Sequence, residues 1–342
     1  MKNLLLIVLV SSILLSCSEC EKQEKSFPLL KGEYLGQTPP GNEPELFAPG
    51  IVSGRFYNRD IAMTPDGKEI YFCVIASGYK YTAICETKLL DGVWTEPEVS
   101  AFSKDPGYRY IEPFISPDGK RFFFLCNKPD TAKGETELDT DIWVMDREGD
   151  KWGNAYNLGE PINTADDEFF PSVTNDGTIY FTRAKKDKGG DQIFRAKLAN
   201  GKYQGPEKLP VQINSGKARY NAFIAPDESY CIVPVFGRED SYGATDYYIS
   251  YIKPDDTWTE PINLGSKINT KGWQEYSPYV SPDGKYFFFM AARDNKQWED
   301  SFKVNSIDKM REYYDSPTNG LPSIYWVSTS FIEELKPDEL KK

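Results

Sequence analysis

Asp60, Glu112, Glu168 and Glu275 are the acidic residues whose types and spacing could do chemistry in this chain. Cleavage of a glycosidic bond uses two carboxyl groups, one protonated and one ionised near neutral pH. Separations of about 5–5.5 Å suit a retaining mechanism and about 6.5–9.5 Å an inverting one. Glu112 and Glu275, with Asp60 as helper, are the catalytic set such a reaction would use. Around them stand Arg59, Arg109 and Arg219, together with Tyr110, Tyr220, Tyr276 and Asn221. Arginine forks onto a carboxylate or sulfate, and a tyrosine ring covers a sugar face. The same residues therefore also describe a pocket that binds a glycan or anionic ligand without cleaving it. A third account is ion pairing across a wet channel mouth. Histidine is absent, which excludes Ser-His-Asp and Cys-His catalysis and histidine metal sites. Asp139 with Asp141 is too little for a calcium cage, and no glycine-rich loop leads a strand into a helix. No cofactor and no metal are expected. The net charge of −12 disfavours nucleic acid as a partner.

A repeat positions these residues. Thr64-Pro65-Asp66-Gly67, Ser116-Pro117-Asp118-Gly119, Thr174-Asn175-Asp176-Gly177, Ala225-Pro226-Asp227-Glu228 and Ser281-Pro282-Asp283-Gly284 recur roughly every 50–60 residues. Each precedes an aromatic or branched run such as Phe122-Phe123-Phe124-Leu125. Proline presets φ, aspartate accepts from the backbone and glycine supplies a positive φ, so each motif is a tight turn feeding a buried strand. The turn aspartates are turn formers. Trp94, Trp152, Tyr203 and Trp258 mark the fourth strand of successive repeats, and Pro-Ile-Asn-Thr (161–164), Val-Gln-Ile-Asn-Ser (211–215) and Lys-Ile-Asn-Thr (267–270) mark the exits. The expectation is an all-β chain forming a single β-propeller of five four-stranded blades, with six blades, one degenerate, as the alternative. The last repeat lacks a fourth strand, whereas Glu43-Pro44-Glu45-Leu46 stands without preceding strands. The N-terminal strand is therefore expected to close the ring.

In a propeller each blade begins beside the axis, so the residues ahead of the first strand crowd one rim, the inlet rim. Its in-register sets are read as Asn58-Arg59-Asp60, Arg109-Tyr110-Glu112, Asp167-Glu168-Phe169, Arg219-Tyr220-Asn221 and Gln274-Glu275-Tyr276. Loops between strands two and three add Lys80, Arg183, Lys185, Arg238, Arg293 and Trp298. The last of these loops, Ala291 to Ser323, is far longer than the others, as functional loops often are; Ser306–Tyr314 begins with a helix cap.

The Ser-Pro-Asp-Gly-Lys turn with its aromatic strand, and Asp141-Ile142-Trp143 opening strand three, resemble the TolB-type, WD-repeat-like β-propeller over about residues 44–335. The resemblance implies the propeller fold. Relatives include periplasmic partners in envelope complexes, envelope lipoproteins, and propellers appended to peptidases and lyases. An N-terminal α/β domain and a catalytic domain are not expected here.

Lys2 followed by the short apolar run Leu4–Leu15 and ending Leu14-Leu15-Ser16-Cys17 reads as a leader and resembles a bacterial lipobox, which implies lipid on Cys17. The expected organisation is a signal peptide at 1–16, a tether and lead-in at 17–43, the propeller at 44–335 and a tail at 336–342. An outer-membrane lipoprotein, periplasmic or surface-exposed, is the expected placement, with the Cys17 lipid its only membrane contact. Cys73, Cys126 and Cys231 read as buried thiols, with a Cys73–Cys85 disulfide as an alternative. The expected role is a non-catalytic binding module for a glycan or an envelope protein, with glycan cleavage by Asp60, Glu112 and Glu275 as the alternative.

Overall fold

The computed structural model describes residues 27–76, 78–129, 139–185, 190–272, 274–293 and 306–341. Cys17, the leader and Trp298 lie outside them. The described residues form five antiparallel sheets arranged as the blades of a propeller, with a two-stranded ribbon, Leu198–Ala199 and Lys202–Tyr203, extending the third. The first blade runs Tyr57–Met63, Glu69–Ala76 and Tyr81–Leu90, with the short outer strands Val93–Trp94 and Glu98–Val99. The second opens at Tyr110–Ile115, the third at Asp167–Val173 and the fifth at Glu275–Val280. In the fourth blade the inner strand is split into Ala218–Arg219 and Phe223–Ile224, both paired with Tyr230–Phe236. The ring closes as the sequence predicts. Glu45 pairs with Trp326 and Leu46 with Tyr325, so the N-terminal strand completes the fifth blade. Closure removes the open edges that a five-sheet array would otherwise expose.

The repeated turns work by the expected chemistry. In four of the five, Thr or Ser donates its hydroxyl to the turn aspartate: Thr64 to Asp66, Ser116 to Asp118, Thr174 to Asp176 and Ser281 to Asp283. In the fourth blade Ala225 replaces the hydroxyl residue, and Ser229 donates to Asp227 from the other side of the turn. Glycine holds φ +67° to +86° at positions 67, 119, 177 and 284, whereas Glu228 takes φ +61° without that freedom.

A second fivefold device sits at the exits. Ser53, Ser103, Asn163, Asn214 and Asn269 each use one side chain to accept the amide and donate to the carbonyl of a third-strand residue: Ile324, Ile84, Ile142, Ile193 and Tyr247. The Ile-Asn-Thr/Ser exits are therefore clamps that set where one blade ends and the next begins. The lead-in packs on the closing seam: Leu30 and Gly32 carbonyls accept from the backbone and indole of Trp94, and Tyr34 packs on Tyr286 and Trp326.

Among the described residues the cysteines Cys73, Cys85, Cys126 and Cys231 are free thiols. Cys73 lies opposite Ile84 and Cys85 opposite Phe72, so the two side chains point to opposite faces of the sheet. That register rules out the Cys73–Cys85 disulfide. Burial pushes both thiols up, Cys85 to about 11.

Candidate functional site

Each inner strand carries one residue in the left-handed region: Asp60 (φ +50°), Glu112 (+60°), Phe170 (+52°), Asn221 (+54°) and Ser277 (+63°). Register shifts at these places in blades one, two, three and five mark β-bulges. A bulge re-aims the side chain; four blades use one here, and in the fourth blade the inner strand is interrupted at Asn221 instead. A non-glycine residue held there costs about 1–3 kcal/mol, so the surrounding contacts must over-determine it.

They do so through charge. Arg59 Nε lies 3.0 Å from Asp60 and its Nη2 2.8 Å from Glu112. The Glu112 amide donates to Asp60 and the Phe170 amide to Glu112 (3.2 and 2.8 Å). Asn221 donates to Glu112, and the Ser277 hydroxyl donates to Asp60. Asp60 and Glu112 are each only 4% exposed. Burial, opposed by Arg59 and reinforced by Asp60, pushes Glu112 up to about 7. On the turn side this hub is plugged by Phe114, Phe223 and Tyr279, whose rings lie 6.0–6.4 Å apart, with the Tyr279 hydroxyl accepting from the Met63 amide. The cavity left between hub and plug is about 10 Å³; that is the scale of a single water, and no sugar fits.

Four readings of the sequence need correction here. Glu168 and Glu275 are not hub residues; the bulges in their blades fall two residues later, at Phe170 and Ser277. Glu168 accepts from Thr164 and from Arg183 at 2.6 Å, and Glu275 accepts from the Thr270 amide. Both are wholly buried and tie an exit loop to the following inner strand. Burial pushes Glu168 up to about 7 against Thr164 and Arg183, and Glu275 to about 8 against Thr270, with Asp246 adding to the rise. Second, Asp60, Glu112 and Glu275 form no catalytic set: the first two are sealed on Arg59 and the third is spent on an exit. Third, two of the three arginines expected to fork onto a ligand, Arg59 and Arg219, face inward. Arg59 is buried in the hub, and Arg219 donates to the carbonyls of Ser215, Asp191 and Gly216. Arg183 and Arg293 likewise donate to the exit carbonyls of Ile162 and Ile268. Fourth, Tyr110 is buried against Phe124 rather than exposed on the rim. Arg109 is exposed and its amide donates to Asn127, but it does not line the cleft described next. Tyr220 bonds Thr245 and lies 5.0 Å from the half-buried ring of Tyr276.

The open concavity lies off the axis, on the inlet rim between the first and fifth blades. It is a cleft of about 820 Å³ walled by Phe56, Tyr57, Tyr79, Gln274, Tyr314 and Leu321. The long loop of the fifth blade builds one wall. Its helix, Ile307–Asp315, starts where the sequence predicts, with Ser306 accepting from the Lys309 amide. The loop is then fastened to the first blade: Pro322 carbonyl accepts from the Asn58 amide, Asn319 donates to the Arg55 carbonyl, and Asp315 pairs with Arg55 at 3.2 Å. The floor joins the hub, because Tyr79 donates to Tyr57 and receives Arg59 Nη1 (3.2 and 3.1 Å). Of these walls the insertion was legible in the sequence through its length, and Gln274 through its place in the inlet-rim register. Phe56 and Tyr79 sit in loops of ordinary composition.

Among the described residues no cluster of three or more acidic or cysteine side chains could hold a metal ion, and no helix is long and apolar enough to cross a membrane. No protein-family profile matches the chain, and neither does any curated protein. Solved structures similar to it include TolB from Acinetobacter baumannii, at 20% identity and a TM-score of 0.46 over 70% of this chain and 50% of that one. Others are a thermostable family-43 glycoside hydrolase (14%, TM-score 0.44, covering 68% and 83%) and an exo-1,5-alpha-L-arabinanase from a bovine ruminal metagenomic library (15%, 0.43, covering 80% and 94%). The chain spans half the length of the TolB it is similar to. The fold of this chain rests on its own five blades, ring-closed by its N-terminal strand.

Proposed function

We propose that this protein is an envelope propeller, anchored by lipid on Cys17 at the outer membrane, that binds a neutral glycan in the inlet-rim cleft without cleaving it. The cleft carries the reading. Its volume of about 820 Å³ is that of a small-ligand site, and its walls offer aromatic faces of the kind that cover a sugar ring. Charge argues for a neutral ligand: Arg55 is paired with Asp315, and Arg59 lies beneath the floor, committed to Asp60 and Glu112. Cleavage finds no support, since the buried carboxylates have no room for a substrate. Binding of the Cys17→Ser protein to a glycan array, repeated with Phe56→Ala and Tyr314→Ala, tests the reading. Recognition of neutral glycans that both variants lose is the expected outcome; equal binding by all three proteins would move the site elsewhere.

An envelope protein as partner is the second reading. Ile307, Met310 and Tyr314 are 54–62% exposed on the loop helix, an apolar stripe that a protein surface would cover. Crosslinking from Met310 in native envelopes separates the two: a single protein adduct, with no glycan bound, favours the partner. Loss of palmitate labelling in Cys17→Ser checks the anchor.

A further inference from the structure

The first and second blades are joined on the turn face by a circuit of polar groups, and the next junction lacks its counter-charge. Between the first and second blades, Arg147 forks onto Glu69 at 3.1 and 2.6 Å, the Tyr71 hydroxyl donates to Glu69 at 2.6 Å, and the Trp152 indole donates to Tyr71 at 2.8 Å. Strand register identifies the same places one junction on. Arg121 pairs with Asp146 as Glu69 pairs with Lys88, and Tyr203 pairs with Leu198 as Trp152 pairs with Arg147. The second-to-third junction therefore holds Arg121 for Glu69, Phe123 for Tyr71, Leu198 for Arg147 and Tyr203 for Trp152. A carboxylate has become a guanidinium, and the residue opposite it is aliphatic.

The consequences are visible in three places. The buried Tyr203 hydroxyl has no acceptor for its proton, and the Arg121 guanidinium lies beside it. Arg121 meets Asp146, across its own hairpin, only at 3.5 Å. A cleft of about 410 Å³ opens between the two blades, lined by both residues. The two aspartates on its walls are engaged: Asp118 by the Ser116 hydroxyl at 2.7 Å and Asp146 by the Tyr156 hydroxyl at 3.0 Å.

We propose that this cleft binds a carboxylate, which accepts from the Arg121 guanidinium and the Tyr203 hydroxyl and so restores the charge that Glu69 supplies at the neighbouring junction. Guanidinium and carboxylate match in geometry as well as charge, and a phenol hydroxyl completes the acceptor's remaining lone pair. A free organic acid and the α-carboxylate ending a peptide present the same group.

Calorimetric titration of the Cys17→Ser protein with succinate, and with a short peptide carrying a free C-terminus beside its amidated form, tests the site and tells the sources apart. Succinate binding identifies a free acid, and binding of the free peptide alone identifies a chain end. Arg121→Leu is expected to weaken binding at least about tenfold, the loss of a charge-assisted pair. Leu198→Glu rebuilds the counter-charge in place, so it should raise the melting temperature while abolishing binding. Val211→Ala, at an exposed position outside both clefts, should leave it unchanged. Absence of binding by both probes, equal binding of the amidated peptide, or full affinity in either cleft variant would overturn the proposal.

Discussion

The hub and the inlet-rim cleft are built from the same short stretch of the first blade, and they put it to opposite uses. At Arg59 and Asp60 the chain bends into a left-handed bulge and buries its charges against Glu112, Asn221 and Ser277. At Phe56 and Tyr57, a few residues earlier, it stays at the rim and lines open space. Polar residues crowded on an axis thus became structure, because every carboxylate there was matched internally. Aromatic residues at the edge line a cleft, and the described part of the fifth blade's long loop, 306–323, stands beside them. A dense cluster of chemistry-bearing side chains is a candidate site only where some of their bonding capacity is left over.

Variants that swap one role for the other test this contrast. The largest effect is expected from Arg59→Ala. Removing one partner of a buried ion cluster leaves Asp60 and Glu112 unpaired, at a cost of about 3–5 kcal/mol. Denaturant unfolding would read that loss; a change under 1 kcal/mol would mean the hub is hydrated and open.

An intermediate effect concerns pH. Glu275 is pushed by burial from 4.5 to about 8, so the fold favours its protonated form. Its contribution is whole below the unfolded value and is lost as pH rises through about 8. The melting temperature should therefore fall between about pH 5 and pH 9, and Glu275→Gln, which does not titrate, should flatten that fall. The turn aspartates Asp66, Asp118, Asp176 and Asp283 work in the other direction. Despite partial burial their hydroxyl bonds hold them below 3.8, so their contribution disappears only in stronger acid. A melting temperature that climbs steadily toward alkaline pH contradicts the placement of Glu275.

The smallest effect on stability belongs to the rim. Phe56→Ala should change unfolding free energy by less than about 1 kcal/mol, since exposed positions rarely cost more, while removing glycan binding. A large destabilisation would make Phe56 a packing residue and weaken the cleft as a site.

Much of the architecture was open to reading because turn chemistry is local. Pro-Asp-Gly states its conformation within four residues, and five copies with a stray N-terminal strand imply a closed ring. The hub was half legible. Asp60, Glu112 and Asn221 were placed by register, but Phe170 and Ser277 were missed in favour of Glu168 and Glu275. A signal was present: proline follows the bulge at Glu112-Pro113, Phe170-Pro171 and Ser277-Pro278, and aligning on it gives the observed set. Charge points to Glu168 and Glu275, whereas a bulge is set by backbone rather than by side-chain type. The exit asparagines were seen as markers, but their clamping role needs a strand distant in sequence.

By itself the sequence determined the blades and the seam and favoured five blades over six, since each follows from turns and strand runs that need only near neighbours. Tertiary structure alone decided which charges are consumed and which surfaces stay free. Whether Arg59 meets a ligand or two carboxylates depends on side chains some 50 to 200 residues away arriving at one axis, and the desolvation that fixes their protonation exists only once the ring has closed.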